Sequence, residues 1–563
     1  MSDSRFKLKI LSSLEKCFLD QKIEEKNGTS YFSMLKNEKL SFQVAYQFDA
    51  PGAEALYFSP RVSGELAEYL TISRVQNVPV TMPYMPYRHD EFHERTTPGL
   101  YPDMLLPVTY QNRIKVMPEY LHALWIDVVF PDEGKDIKSG IYKIDFSIYN
   151  AKEEEISSVS VDIEVIDAFL PEVDFKRTEW FHSDCLAEYY EVPVFSERHF
   201  EIIEEFIKTA AENEINTIMM PVFTPALDTY VGGERLTCQL VDIYLDNGVY
   251  SFDFSKVDRW ILICKKHNIP NYEIPHFFTQ WGAKNAPKIM ATVDGEYKKL
   301  FGWETDALSE EYVNFLDNFI PALLGQLQKH EIDKRTLFHI SDEPHADQLE
   351  HYRKVKAVVE RHLQGYDILD AVSNIEFFKQ GVLKKSILNV GSVKKLIDEG
   401  IKDLWVYYCG GDCTDVTNRF ISMPFARQRI IGIQMSKYNI KGFLHWGYNY
   451  YHNQYSYDFV NPFAETSGEY FGPSGDMFLV YPDRGGKTIP TMRLKVLRDA
   501  IQDYRALELC KQLCGEETAQ ALIQDGIDYE INFKEYPRNP DYILRLREKV
   551  NDAIKEALNS EQN

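Results

Sequence analysis

The chain has 563 residues, with 62 lysines and arginines against 86 aspartates and glutamates, a formal net charge of −24. That balance opposes broad binding to DNA, RNA or an anionic membrane, so no nucleic-acid partner is expected. Hydrophobic residues make up 44% and charged residues 26%, the composition of a globular chain able to bury a full core.

Charges interrupt every apolar stretch near the N-terminus, and no run reaches the roughly 18 apolar residues a membrane helix needs. No signal peptide and no membrane span are therefore expected, and the chain reads as cytoplasmic. Up to about residue 172 the pattern is strand-like. Residues 40–46 and 158–165 alternate with period two, and 124–130 and 140–148 lie between turn residues. Repeated short strands with little helix predict a β-sandwich over 1–172.

Beyond it, apolar strands alternate with amphipathic helices. Strands are predicted at 179–183, 216–221, 270–276, 336–341, 369–373, 403–408, 441–446 and 476–481. Eight such units predict a (β/α)8 TIM-type barrel over 173–514, an α/β fold class, with an open doubly wound sheet as the rival. The loop after the second strand carries a predicted hairpin, 241–252, turning at Asn247-Gly248. Residues 515–563 read as a C-terminal helical extension. The helix after the eighth strand, Arg493 to Tyr504, is read as an outer helix held by salt bridges.

Among the eight cysteines, two pairs have a spacing that zinc can use, Cys409 with Cys413 and Cys510 with Cys514. Neither has a nearby His or a third Cys, so reduced thiols and no metal are expected.

The most informative stretch is Ile340-Ser341-Asp342-Glu343-Pro344. An apolar strand runs into two adjacent carboxylates and a proline, at the barrel face where active sites lie. Taken alone, Asp-Glu-Pro reads equally as a helix N-terminus. The other strand ends favour a site. They carry His182 and Asp184, His276 and Trp281, Asn374, Tyr408, and Trp446 with Tyr448. Aromatic faces with amide, imidazole and carboxylate groups suit a sugar pocket. The strand ending at Trp446 lacks the second carboxylate that ordinary glycosidases place across the scissile bond. An adjacent Asp-Glu pair suits a reaction in which the substrate's own 2-acetamido oxygen attacks the anomeric carbon.

These motifs resemble the family-123 glycoside hydrolases, the β-N-acetylgalactosaminidases. The likeness runs through Pro98–Pro107, Leu124–Asp127, Ile340–Pro344, Leu444–Gly447, Gly475–Pro482 and Arg493–Tyr504. It implies a retaining enzyme without a cofactor, acting on an oligosaccharide or glycolipid-derived glycan. It also implies Glu343 as acid/base and Asp342 as the residue orienting the acetamido group. Trp446, Asn374, Tyr408, Tyr448, His276, Asp184 and His182 remain candidate substrate contacts. Two alternatives stand beside this reading. One is a glycosidase with a protein nucleophile such as Asp184, Asp412 or Asp415, and the other is a non-catalytic carbohydrate-binding barrel.

Overall fold

The structure is a computed structural model that describes residues 5–108 and 112–561. Two five-stranded sheets occupy the N-terminal third. One has the order Phe6–Ser12, Leu40–Phe48, His122–Val128, Leu70–Val80, Gly99–Pro107, and the other the order Tyr31–Leu35, Glu155–Ile166, Gly140–Tyr149, Leu56–Ser63, Ile114–Val116. Phe42, Leu124, Ile126, Ile144, Phe146 and Ile163 fill the space between them. Alternate residues of the first sheet point the other way. Ala45, Leu105 and Trp125 pack on Phe425, Ile430 and Met492 from the barrel side. Period-two alternation thus marks two buried faces in Leu40–Phe48, eight of whose nine residues are buried.

Eight parallel strands follow: β1 (Lys176–Glu179), β2 (Thr217–Met219), β3 (Asn271–Ile274), β4 (Thr336–Phe338), β5 (Asp367–Ile368), β6 (Ile387–Asn389), β7 (Trp405–Tyr407) and β8 (Gly442–His445). They neighbour one another in chain order, and β8 pairs back onto β1. The ring is joined between β5 and β6 by the parallel bridge Ala371↔Ile387 and its backbone hydrogen bonds. The barrel prediction holds, with corrections to individual strands. The predicted eighth strand lies outside the ring, where Val480–Pro482 pairs with Thr488–Pro490 as a two-stranded ribbon. The sixth strand is the unpredicted Ile387–Asn389, three residues long and too short to show a period. The first strand also ends at Glu179, so residues 181–183 already lead into the helix Ser183–Tyr189.

The predicted hairpin forms from Asp242–Asp246 and Val249–Asp253. Asn247 and Gly248 have φ of 49° and 81°, the double positive φ of a type I′ turn.

The helix Met492–Cys514 is the largest departure from expectation. Instead of lying outside, it fills the seam between sandwich and barrel. Its charged residues are buried there in pairs. Arg493 donates to both oxygens of Asp103 at 2.7 and 2.9 Å, and Arg498 and Lys495 face Asp127 at 3.3 and 3.2 Å. Arg429 and Arg547 share Asp503. The helix Phe425–Lys437 lies so close that a side chain at Gly432 would meet the Ala500 carbonyl. Among the described residues, no helix is long and apolar enough to cross a membrane.

Candidate active site

After β4 the chain is held on both sides. The backbone N–H groups of Phe277, Phe278 and Trp281 donate to the carbonyls of His339, Ile340 and Asp342. On the other flank, the Asp370 carboxylate accepts from Ile340 N, Ser341 N and the Tyr352 hydroxyl. Beneath this segment, Glu273 accepts from Trp180 Nε1 at 2.8 Å and from His339 Nε2 at 2.7 Å. Burial opposes a charge on His339. Asp370 and Glu273 outweigh it and push the imidazole pKa up to about 10. The strand end is therefore a rigid, hydrogen-bonded rail that delivers Asp342 and Glu343 to the barrel mouth.

Both carboxylates open into a cavity of about 200 Å³. Its walls include Trp180, His182, Asp228, Gln280, Trp281, Tyr407, Cys409, Trp446, Tyr455 and Phe471. Neither carboxylate caps a helix, since the turn that follows is capped by His345. Glu343 Oε1 accepts from the Tyr407 hydroxyl at 2.5 Å. Among the described residues the Asp342 carboxylate has no hydrogen-bond or ion-pair partner, while its backbone carbonyl is bonded to Trp281. Burial, then the neighbouring charges of Glu343 and Asp370, push its pKa well above the ordinary carboxylate range. A third carboxylate, Asp228, also lines the cavity, and burial raises its pKa too. It accepts from the Tyr450 hydroxyl and from Tyr455 N. Among the described residues, no lysine or arginine lines the cavity.

The backbone is strained at the same place. Asp228, Trp281, Glu343 and Tyr455 have φ of 43°, 59°, 41° and 61°, a region that residues with side chains rarely occupy.

The candidate contacts divide. Trp446 lines the cavity, its indole N–H bonded to Asp476 at 3.1 Å and its ring packed on Phe471 and Tyr450. Asp476 is held near a pKa of about 6, chiefly by burial. His182 also lines the cavity, but both ring nitrogens are committed. Nε2 donates to the Trp446 carbonyl at 2.8 Å and Nδ1 accepts from Arg235 at 3.0 Å. Burial and Arg235 hold its pKa down to about 3, so it is neutral. Asp184 stands behind it in a buried two-bond pair with Arg235, at 2.7 and 2.9 Å.

The others point elsewhere. His276 is buried beneath the cavity, its ring centroid 4.8 Å from that of His339. Tyr448 is buried, its hydroxyl on the Phe206 carbonyl. Asn374 caps the helix Ile375–Lys379. Tyr408 is buried against Phe443 and His445, and its neighbour Tyr407 faces the cavity instead. The candidate nucleophiles are also outside. Asp412 accepts from Asn389 and from Cys409 N, and Asp415 lies at the surface beside Arg538. Asp228, Gln280, Tyr407 and Tyr455 were not among the predicted site residues. Tyr407 was within reach of strand parity, whereas the other three sit on irregular loops.

All eight cysteines are free thiols. Among the described residues, two groups have ligand atoms close enough for a metal, Asp184–Cys185–His452 and His276–His339–Asp370, and neither contains a short cysteine pair. Asp184 is already taken by Arg235, and both His339 nitrogens by Leu369 O and Glu273. The sandwich loop bearing His89 and His93 docks on the barrel, with His93 bonded to Ser422, but neither histidine lines the cavity.

Residues 180–510 match the family model described as glycoside hydrolase 123, catalytic domain. A solved family 123 glycoside hydrolase from Clostridium perfringens, described for glycolipid glycan hydrolysis, superposes with a TM-score of 0.70 at 15% identity, over 99% of this chain and 98% of that one. A putative β-galactosidase from Bacteroides fragilis reaches only 0.31 at 10% identity, over 88% of this chain and 60% of that one. A search of curated proteins finds no match.

Proposed function

The chain belongs to glycoside hydrolase family 123, and from that premise we propose that it is a retaining exo-glycosidase that releases terminal β-linked N-acetylgalactosamine by substrate-assisted catalysis. The observation that carries this is the Asp342 carboxylate, open to the cavity, without a partner, beside Glu343. In the first step the acetamido oxygen attacks C1 while the bond from C1 to the leaving oxygen breaks. Glu343 gives its proton to that oxygen. Asp342 accepts a hydrogen bond from the acetamido N–H and faces the positive charge of the oxazolinium ion that forms. In the second step Glu343 takes a proton from water, which opens that ring at C1 and restores the original configuration.

The surroundings support the same reading. Among the described residues, three carboxylates and no lysine or arginine line the cavity, which favours a transition state gaining positive charge and disfavours acidic sugars. Asp184, Asp412 and Asp415 are engaged elsewhere, and Asp228 is held by Tyr450 and Tyr455. A nucleophile supplied by the substrate fits that arrangement. The Clostridium perfringens relative is described for glycolipid glycans, and a neutral glycan of that kind is the substrate class proposed here.

The test compares an aryl 2-acetamido-2-deoxy-β-galactoside with the aryl β-galactoside that lacks the acetamido group. The first should be cleaved and the second should barely react. A thiazoline analogue of the cyclised intermediate should inhibit strongly, because it mimics a species bound more tightly than substrate. Efficient cleavage of the plain galactoside, or a sugar trapped on a protein carboxylate, would refute the mechanism.

A further inference from the structure

A cavity of about 200 Å³ lies below the ~300–1,000 Å³ of sites that enclose drug-sized ligands. It holds one sugar ring, so the rest of a glycan chain must lie outside it. An aromatic track leaves the cavity at one side. The Trp281 and Tyr455 rings, both in its wall, meet edge to face with centroids 5.9 Å apart. Tyr455 meets Tyr457 at 6.0 Å, and Tyr457 stacks on Tyr230 at 4.8 Å with 21° between the planes. The rings beyond the cavity wall are the more exposed ones. Tyr455 is half-buried, whereas Tyr230 is 42% and Tyr457 59% exposed.

The track is held in place from below. Tyr230 and Tyr457 come from two different loops, after β2 and after β8. Asp228 ties the loops together by accepting from Tyr455 N at 3.1 Å and, through its backbone carbonyl, from Ser456 Oγ at 2.9 Å. Among the described residues the hydroxyls of Tyr230, Tyr455 and Tyr457 have no hydrogen-bond partner. Two stacked, exposed tyrosines with free hydroxyls, continuous with a one-sugar cavity, offer apolar faces to a ring and polar edges to its hydroxyls.

We infer that Tyr455, Tyr457 and Tyr230 form a binding platform for the sugars on the leaving side of the scissile bond. The inference rests on the glycosidase reading above and extends it from the cleaved sugar to the chain that carries it. The occupant is a neutral pyranose unit, one or two residues beyond the terminal N-acetylgalactosamine.

The experiment measures kcat/KM on two substrates with the same terminal sugar, a methyl glycoside and a neutral trisaccharide. The methyl group is too short to reach the platform. Tyr457→Ala and Tyr230→Ala should each lower kcat/KM on the trisaccharide about three- to tenfold, the scale of one aromatic contact. Neither should change the methyl glycoside. Tyr457→Phe, which keeps the ring, should retain most of the trisaccharide activity. Equal losses on both substrates, or no loss on the trisaccharide, would overturn the platform while leaving the glycosidase reading intact. A wild-type enzyme inactive on both substrates would refute the glycosidase reading, and the platform with it.

Discussion

The molecule buries acidic side chains in two places and treats them in opposite ways. In the seam, every one of Asp103, Asp127 and Asp503 has an arginine against it. At the barrel mouth, Asp228, Asp342 and Glu343 share a cavity with no lysine or arginine in its wall among the described residues. The electrostatic consequence is visible in single residues. Burial pushes Asp127 up, yet Lys495 and Arg498 outweigh it and hold the carboxyl well below its usual range. Asp342 has no such partner, and burial together with Glu343 drives it the other way. Burial alone therefore does not separate a structural carboxylate from a working one. The missing cation is the difference between the two regions, and a buried carboxyl left without one is the mark expected where a ligand or a reaction will answer it.

Glu343→Gln gives the largest expected effect. Turnover of a substrate with a poor leaving group should fall by roughly 10²–10⁴-fold, the usual contribution of a general acid–base group. Urea unfolding should stay within about 1 kcal/mol of wild type, since Glu343 pairs with no cation. A variant that unfolds early would move Glu343 to the structural side of the comparison.

Arg493→Met tests the seam. It strands Asp103 in a buried site and should cost about 3–5 kcal/mol in urea unfolding, while the folded fraction keeps its activity. Adding Asp103→Leu should recover most of that loss. A single variant with wild-type stability would show that the seam pairs contribute little.

The third test follows the sign of the Asp342 shift. A carboxyl with a raised folded pKa binds its proton more tightly folded than unfolded. Stability is then lost as pH rises from the ordinary carboxylate range through the raised value. Asp342→Asn lacks that loss, so its stability relative to wild type should increase over the range from about pH 4 upward. The same variant should be roughly 10²–10³-fold slower on the acetamido substrate. A stability difference that stays flat across that range would contradict the environment described for Asp342.

The sequence made the architecture legible and the cavity only partly so. Long alternating strands such as Leu40–Phe48 declare themselves, and so does the Asn247-Gly248 turn. Strand β6 does not, because its three residues are too few to show a period. The predicted count of eight came out right because Val480–Pro482, an apolar run in a ribbon, stood in for Ile387–Asn389. Strand parity explains the tyrosine error. Tyr407 and Tyr408 lie on opposite sides of β7, and a shift of one residue exchanges cavity for core. The salt bridges of the helix Met492–Cys514 were legible, but not their burial in the seam, because the partners of Arg493 and Arg498 lie over 370 residues away in the sequence. Asp342 and Glu343 were readable because a carboxylate pair straight after an apolar strand is unusual. Asp228 and Tyr455 were not, since a loop has no period to place them.

The four non-glycine residues at positive φ around the cavity have a thermodynamic consequence. Each such conformation costs of order 1–3 kcal/mol, and that cost is met when the chain folds, before any sugar arrives. Asp228, Trp281, Glu343 and Tyr455 thus enter the encounter already ordered, and the ligand need not freeze them. Glycine at any of the four would relieve the folded chain but widen the ensemble the loop samples, returning to the binding step an entropy that the present residues have removed from it.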